Sequence, residues 1–596
     1  MKTYVVRRAI VLTFAALCLA LVGGTTGAAT EAKVPVETFT LDNGMEFLFV
    51  PMPEKTTVSA GWVAHVGSAN ERPGITGLSH LFEHMMFKGT DTIGTTNAER
   101  DLEILVEQEK IQERIREIYR EQRKRWRRGE IEDPFDPANR TEEQIELEAQ
   151  FATLVEEQRA LMIKDEFDKI YTESGGSSMN AGTTNDLTLY FITVPANKLE
   201  LWFWMESDRL ANPIFREFYS ERDVVFEERR LRTESTPTGK FDEQFDAMFW
   251  ESHPYSWPVV GWPSDLRVIS KEQADEYYNT YYSPNNLTSA LVGNFDVEEA
   301  KTLAQKYFGR LERGRRVPPD VVTLEMEQMA EKRMSAECDC QPQIEVRYHT
   351  VPFMHADSYA LDVLGGLLNG RTGRLYKSMV LGDEIAASAF AGQDSSKYAG
   401  AFSFGGETKG DATPEQLEHA WYAQLEKIKN DPIPAEELQK VKNQITADSY
   451  RRLQSPFFLM LQLMFYEGLG DWQYLNEWSD DTLAVTDADV KRVAESYFTP
   501  ENRAVAVYNR KAGAQAEEWP PELAELPGEQ QQMLKGQLRQ LKAIQDPAQL
   551  EGILQRIQQQ KGAVPAEMQK GFGIMEKWIE DRIKELSEGG ETEGGA

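Results

Sequence analysis

Apolar positions alternate or run almost unbroken over residues 58–66 and 344–348, and each run predicts a strand. Each is followed by apolar spacing of three and four, over 77–87 and 358–368, which predicts a helix. Tyr281-Tyr-Ser-Pro284-Asn-Asn286, with Leu-Thr-Ser-Ala-Leu-Val after it, returns 216 residues later as Tyr497-Phe-Thr-Pro500-Glu-Asn502 and Arg-Ala-Val-Ala-Val. Both copies read as helix, Pro-Asn turn and β-branched strand. The chain is therefore expected to hold two duplicated halves of mixed strand and helix. The basic, Pro-terminated stretch GRLERGRRVPP at 309–319 predicts the linker between them.

Residues 98–171 follow another pattern. Thr96-x-x-Glu99 and Thr141-x-x-Gln144 have the form of capping boxes, and a Pro/Asp/Asn loop at 133–139 separates two long charged segments. Ile104, Ile111, Ile115 and Ile118 on the first, with Leu147, Phe151, Leu154 and Leu161 on the second, keep spacings of three, four or seven. An antiparallel helical hairpin is predicted. From about residue 513 the chain is rich in Gln, Glu, Lys and Pro, with helical patches at 530–544, 550–560 and 573–586 and a Gly/Glu tail expected to be disordered.

Composition narrows the function. The 596 residues carry 65 Lys+Arg against 97 Asp+Glu, a net charge of −32, so duplex phosphate is excluded as the main partner and no nucleic acid is expected. Residues 1–28 combine Lys2, Arg7 and Arg8 with an apolar core over 9–22 and a small-residue end, the pattern of a cleavable export signal. Its removal would leave a charge of −35, no spanning segment, and a periplasmic or extracellular protein. Leu17 before Cys18 disfavours lipid attachment. Cys338 and Cys340, two apart, are read as free or incidental thiols.

The chemistry concentrates in His80-Leu-Phe-Glu83-His84. Histidines four apart lie one turn apart on one helix face, so both imidazoles reach a single ion, and Glu83 projects close to the same face. Two neutral imidazoles suit Zn²⁺, and a neighbouring carboxylate suits a base acting on water. By composition alone such a window arises about 0.01 times per chain. A third ligand is needed, and a carboxylate on another helix is the best candidate. Glu221 and Glu228, seven apart in the charged helical segment 217–233, lie two turns along one face, so one can bind metal while the other holds a histidine; Glu227 is the rival.

Gly74-Ile-Thr-Gly-Leu-Ser-His80-Leu-Phe-Glu83-His84-Met-Met-Phe-Lys-Gly89-Thr90, then Asn180-Ala181-Gly-Thr-Thr, then Glu221-Arg-Asp-Val-Val-Phe-Glu-Glu228, resembles the inverzincin metallopeptidases, the family of pitrilysin, insulin-degrading enzyme and the mitochondrial processing peptidases. The resemblance runs from about residue 36 to 510. It implies one zinc ion per chain held by His80, His84 and Glu228, with Glu83 as catalytic base and Glu221 supporting a ligand histidine. It also implies an edge strand at Asn180 and Ala181 that pairs with substrate backbone. Two departures stand out. The hairpin puts more chain than usual between the zinc motif and Glu228. The second half puts Leu361, Leu364 and Gly365 where His80, Glu83 and His84 stand, and Val380 and Ala387 where the family carries an Arg/Tyr pair; Arg374 and Tyr376 match a structural turn.

The resulting expectation is an α+β fold: two homologous α/β-sandwich halves forming a clam-like chamber, with a helical-hairpin insertion in the first half. The expected domains are a signal at 1–28, a zinc-bearing domain at 30–318 with the insertion at 98–172, a second domain without zinc at 319–512, and a helical extension at 513–596. The expected function is a zinc metalloendopeptidase acting on peptides or unfolded segments, in a hetero-oligomer whose homologous partner supplies the Arg/Tyr pair. An inactive relative serving as a peptide-binding or assembly scaffold is the alternative.

Overall fold

The computed structural model describes residues 33–589 apart from 514–518, 527, 543, 545 and 562–565. The export-signal reading of 1–28 and the reading of a disordered end at 590–596 fall outside the described residues.

Two mixed sheets form the frame. The first contains β1 (Glu37–Thr40), β2 (Glu46–Pro51), β3 (Thr57–Ala64), β4 (Ser177–Thr183), β5 (Thr188–Pro195) and β6 (Leu287–Gly293), in the order β1-β2-β6-β3-β5-β4. The second contains β7 (Lys332–Cys338), β8 (Gln343–Thr350), β9 (Ala386–Ser395), β10 (Gly400–Thr408) and β11 (Arg503–Arg510), in the order β7-β11-β8-β10-β9. Taken strand for strand, β2, β6, β3, β5 and β4 of the first repeat as β7, β11, β8, β10 and β9 of the second. In each, only the pair that joins distant segments, β2 with β6 or β7 with β11, is parallel. The repeated Asn does the same work twice: Asn286 Nδ2 donates to Tyr281 O at 2.8 Å, and Asn502 Nδ2 to Tyr497 O at 2.8 Å. The segment 312–331 between the halves has no helix or strand.

Each half lends a helix to the other's sheet. Pro456–Leu469 is apolar nearly all round and packs Leu459, Leu463 and Met464 against Val63, Ala290 and Val292 of the first sheet. Gly61 on β3 permits this approach, since a Cβ there would lie 2.9 Å from the Met464 side chain. Gly239–Phe249, from the first half, reciprocates by placing Phe245 and Phe249 on Ala504, Ala506 and Tyr508 of the second sheet. Burial of such faces, at roughly 25 cal/mol per Å² of apolar surface, ties the halves into one unit.

The hairpin is present as Ala98–Arg127 and Glu142–Leu161, antiparallel, with Arg100 paired to Glu157 and Arg114 to Glu143 at 2.7 Å each. Two details differ from the sequence reading. The first helix is capped by Asn97, whose side chain accepts from Arg100 N, because the Thr96 hydroxyl instead donates to Leu161 O at 3.0 Å and closes the hairpin base. The seam is partly polar. Ile104, Ile115 and Ile118 are buried, but Leu147, Phe151 and Leu154 are only half-buried, and Gln108, Gln122, Gln144 and Gln158 are buried instead. Gln108 donates to Gln158 and Gln122 to Gln144, each at 3.2 Å, so the glutamines pair across the seam.

Cys338 and Cys340 are disulfide-bonded rather than free; the turn after β7 brings their Cα atoms to 5.2 Å, within bridging range. The C-terminal helices Gly528–Lys542, Pro547–Lys561 and Ala566–Gly589 share a small core containing Leu538, Leu550 and Ile579, and the buried Lys535–Glu407 ion pair fastens the first of them to β10. No helix among the described residues is long and apolar enough to cross a membrane.

Candidate active site

The motif helix Leu78–Met85 is buried at every residue. Gly77 starts it at φ 89°, a left-handed conformation that favours glycine, and a Cβ there would lie 2.5 Å from Val260 O. Glu71 caps it: one carboxylate oxygen accepts from Gly77 N at 2.8 Å and the other from Ser79 N at 2.7 Å, satisfying amide donors that the first turn leaves open. Burial pushes the Glu71 carboxyl up to about 8, and those backbone bonds pull the other way.

The helix Phe218–Arg229 crosses this motif and brings Glu221 and Glu228 to it, two turns apart on one face. The structure brings His80, His84 and Glu228 together: one nitrogen from each ring and one carboxylate oxygen lie within 4.8 Å of one another. Glu228 approaches His84 Nε2 at 3.3 Å and His80 Nε2 at 3.7 Å. Glu221 sits behind the cluster, with Oε1 2.6 Å from His84 Nδ1 and Oε2 2.6 Å from Lys88 Nζ. Burial alone would raise its pKa, but the Lys88 ammonium and then the His84 ring outweigh burial and hold the carboxyl well below the usual range. An ionised Glu221 accepts the Nδ1 proton, leaving the His84 Nε2 lone pair toward the cluster; that buried nitrogen makes no hydrogen bond. Two imidazole nitrogens and one carboxylate oxygen, all close to one point, fit a tetrahedral zinc site with one position left for water. Glu227, the rival ligand, turns away and pairs with Arg230 at 2.8 Å.

Glu83 projects into a cavity of about 980 Å³ that both halves line, and His80 borders the same space. Thr183 on β4 donates to Glu83 Oε2 at 2.8 Å, an orienting bond the sequence reading did not assign, although Thr183 stands three residues after Asn180 in the quoted motif. Lys88 and Arg232 were also missed; Arg232, in the widened helical turn Arg230–Glu234, reaches Glu228 Oε1 at 2.9 Å and lines the cavity. Asn180 and Ala181 lie on β4, which stands at the end of its sheet. Ala181 is buried against the core, and Gly182 and Thr183 are the strand residues that border the cavity. The cavity wall mixes aromatic side chains such as Phe353, Phe390 and Tyr466 with Asp186 and Asp362. Burial raises these two carboxyls to about 6 and about 7.

The second half has no equivalent centre: Leu361 and Leu364 are fully buried in its apolar core. Arg374 forks onto Glu437 at 3.1 and 2.8 Å, a structural pairing, while Val380 packs on the core and Ala387 is exposed. Three of the other histidines have local roles. His253 and His355 accept from the backbone two residues on, and His349 stacks on Phe249 with centroids 3.8 Å apart.

Two family models match: insulinase (peptidase family M16) over residues 47–108, and the peptidase M16 inactive domain over residues 269–445. The chain is 27% identical over 469 residues to the zinc protease PqqE of Helicobacter pylori, covering 78% of this chain and 90% of that one. It is 22% identical to the uncharacterized zinc protease YmxG of Bacillus subtilis, covering 78% and 96%. In fold it is similar to a crystal structure of a protease from Helicobacter pylori, with TM-score 0.65, 24% identity, and 80% and 99% of the two chains covered. The periplasmic protease PqqL from Escherichia coli gives TM-score 0.59 at 16% identity, covering 82% of this chain and 52% of that one. With a buried histidine pair on one helix, an acidic helix crossing it and a second half built on the same strand order without these groups, this chain is similar to the M16 peptidases in both halves.

Proposed function

We propose that the chain is a zinc metalloendopeptidase acting on extended peptides or unfolded polypeptide segments. The observation that carries this reading is the convergence of His80, His84 and Glu228 at the rim of a large cavity into which Glu83 also projects. His80, His84 and Glu228 would hold one Zn²⁺, and Glu221 would fix the His84 tautomer from behind. Zinc, when bound, supplies Lewis-acid polarisation of the scissile carbonyl. Glu83, oriented by the Thr183 hydroxyl, takes a proton from the attacking water and returns it to the departing amine. The edge of β4 would offer backbone donors and acceptors to an extended substrate with little dependence on its side chains. The aromatic and acidic cavity wall favours segments that combine apolar and cationic side chains.

Neither Val380 nor Ala387 offers a polar group to a developing oxyanion, and a donor there is commonly worth about 3 kcal/mol of barrier. The proposal therefore includes a homologous partner subunit that provides the donors. The chain is further proposed to be exported to the periplasm or cell exterior, a setting in which a disulfide such as Cys338–Cys340 persists. A peptide-library digest with the pure chain, with and without a co-purifying homologue, tests both parts. Cleavage that requires bound zinc and rises with the partner is expected. Stoichiometric zinc with peptide captured intact would instead favour the scaffold alternative, and full activity of a monomer would remove the partner.

A further inference from the structure

The inserted hairpin is wired to the metal-ligand cluster through two buried contacts. The first is Arg216, whose guanidinium is 1% exposed. Its Nε pairs with Asp101 on the first hairpin helix, and its other nitrogens donate to the backbone oxygens of Lys88, Thr90 and Ile93 in the loop that leaves the motif helix. Gly89 and Gly94, at φ 94° and 99°, wrap that loop around the guanidinium; a Cβ on either would lie within 3.2 Å of Nη1. Asp101 also accepts from Gln158 on the second hairpin helix at 2.7 Å, so one cation joins both hairpin helices to the loop. From the same loop Lys88 reaches Glu221, the carboxylate that orients His84.

The second contact is Tyr219, on the first turn of the helix that carries Glu221 and Glu228. Its hydroxyl donates to Glu109 and accepts from Arg116 at 3.0 Å, both on the hairpin, and its ring meets Phe151 edge-on at 5.8 Å. The two segments that supply His84 and Glu228 are therefore braced by the same inserted element, from opposite ends.

We propose that the hairpin is a positioning element of the metal site, with Arg216 as its central positioning residue; this rests on the zinc-peptidase reading above. A forked guanidinium holds three carbonyls in fixed directions, which a lysine ammonium at that place cannot do. Partners behind ligating residues typically govern metal affinity by about 10–100-fold. Coupling of this kind is reciprocal, so zinc binding must in turn steady the hairpin base.

Hydrogen exchange of the full chain, metal-free and with one equivalent of Zn²⁺, tests this. Zinc is expected to slow exchange at 98–108 and 154–161 as well as at 78–94 and 216–229, leaving the tip at 124–142 unchanged. Protection confined to 78–94 and 216–229 overturns the proposal while the zinc reading stands, and absence of zinc uptake overturns both. Arg216→Lys, which keeps the charge opposite Asp101, is expected to weaken Zn²⁺ affinity about 10–100-fold against a chelating dye, with KM for peptide unchanged at saturating zinc. A variant with parental Zn²⁺ affinity and only a lowered melting temperature shows a purely structural Arg216 and overturns the proposal.

Discussion

His84 Nδ1 lies 2.6 Å from Glu221 Oε1, and this one contact separates the two acidic residues of the crossing helix by role. Glu221 is already engaged behind the ring, while Glu228, two turns on, faces both imidazoles. Glu221→Gln keeps an oxygen that can accept from Nδ1 but loses the charge held by Lys88. Zinc affinity is expected to fall about 10–100-fold, measured by chelator competition. Unchanged affinity would show that the contact is not needed to set the ring.

Glu83→Gln should leave the ligand set intact while removing the proton carrier. Zinc content is expected to stay at one per chain while kcat falls by about 10²–10⁴. Metal analysis beside peptide turnover distinguishes this from simple loss of the ion, and a variant that still cleaves at the parental rate rules Glu83 out as the base.

Thr183→Val keeps the volume and removes the hydroxyl that points at Glu83. Since a hydrogen bond to a charged group contributes about 1.5–3 kcal/mol, kcat should drop by about tenfold or more at constant zinc occupancy. A rise in KM alone, with kcat unchanged, would place Thr183 in substrate binding and not behind the base.

Glu71 gives a pH dependence of stability with a definite sign. Its folded pKa of about 8 lies above the ordinary value of 4.5, so the contribution is fully present below about pH 4.5 and is lost as the pH climbs to about 8. Glu71→Gln, neutral throughout, is expected to flatten the fall in melting temperature between pH 5 and 8. An unaltered slope would assign that fall to other groups.

Leu463→Ala, at a fully buried position on the helix that crosses to the first sheet, should cost about 2–5 kcal/mol. Because that helix belongs to the second half, calorimetry should show one transition moving down as a whole. Two separated transitions would mean that the halves unfold independently.

Much of this was readable from residue spacing. His80, Glu83 and His84 could be placed because a helical period fixes which side chains share a face, and the Tyr281/Tyr497 repeat announced the duplication because its Asn makes the same bond in each half. What escaped depended on contacts distant in sequence. Phase along β4 was not readable, since the register shifts between Ser177 and Asn180 and turns Ala181 into the core while Thr183 meets Glu83. Thr96 and Asn97 are equally good caps by composition; the neighbouring Leu161 carbonyl decides between them. The glutamines of the hairpin find their partners on the opposite helix, so no single-helix pattern reveals them. Cys338 and Cys340 looked too close to join until the turn after β7 set their separation.

The exchange of helices between the halves also bears on why an empty duplicate persists. With Leu361 and Leu364 in its apolar core the second half carries no ligand set of its own, yet it lines the shared cavity and its Pro456–Leu469 helix roofs strands of the first sheet. Each half is thus part of the other's interior, so truncation to either one would strip an apolar sheet face of its cover.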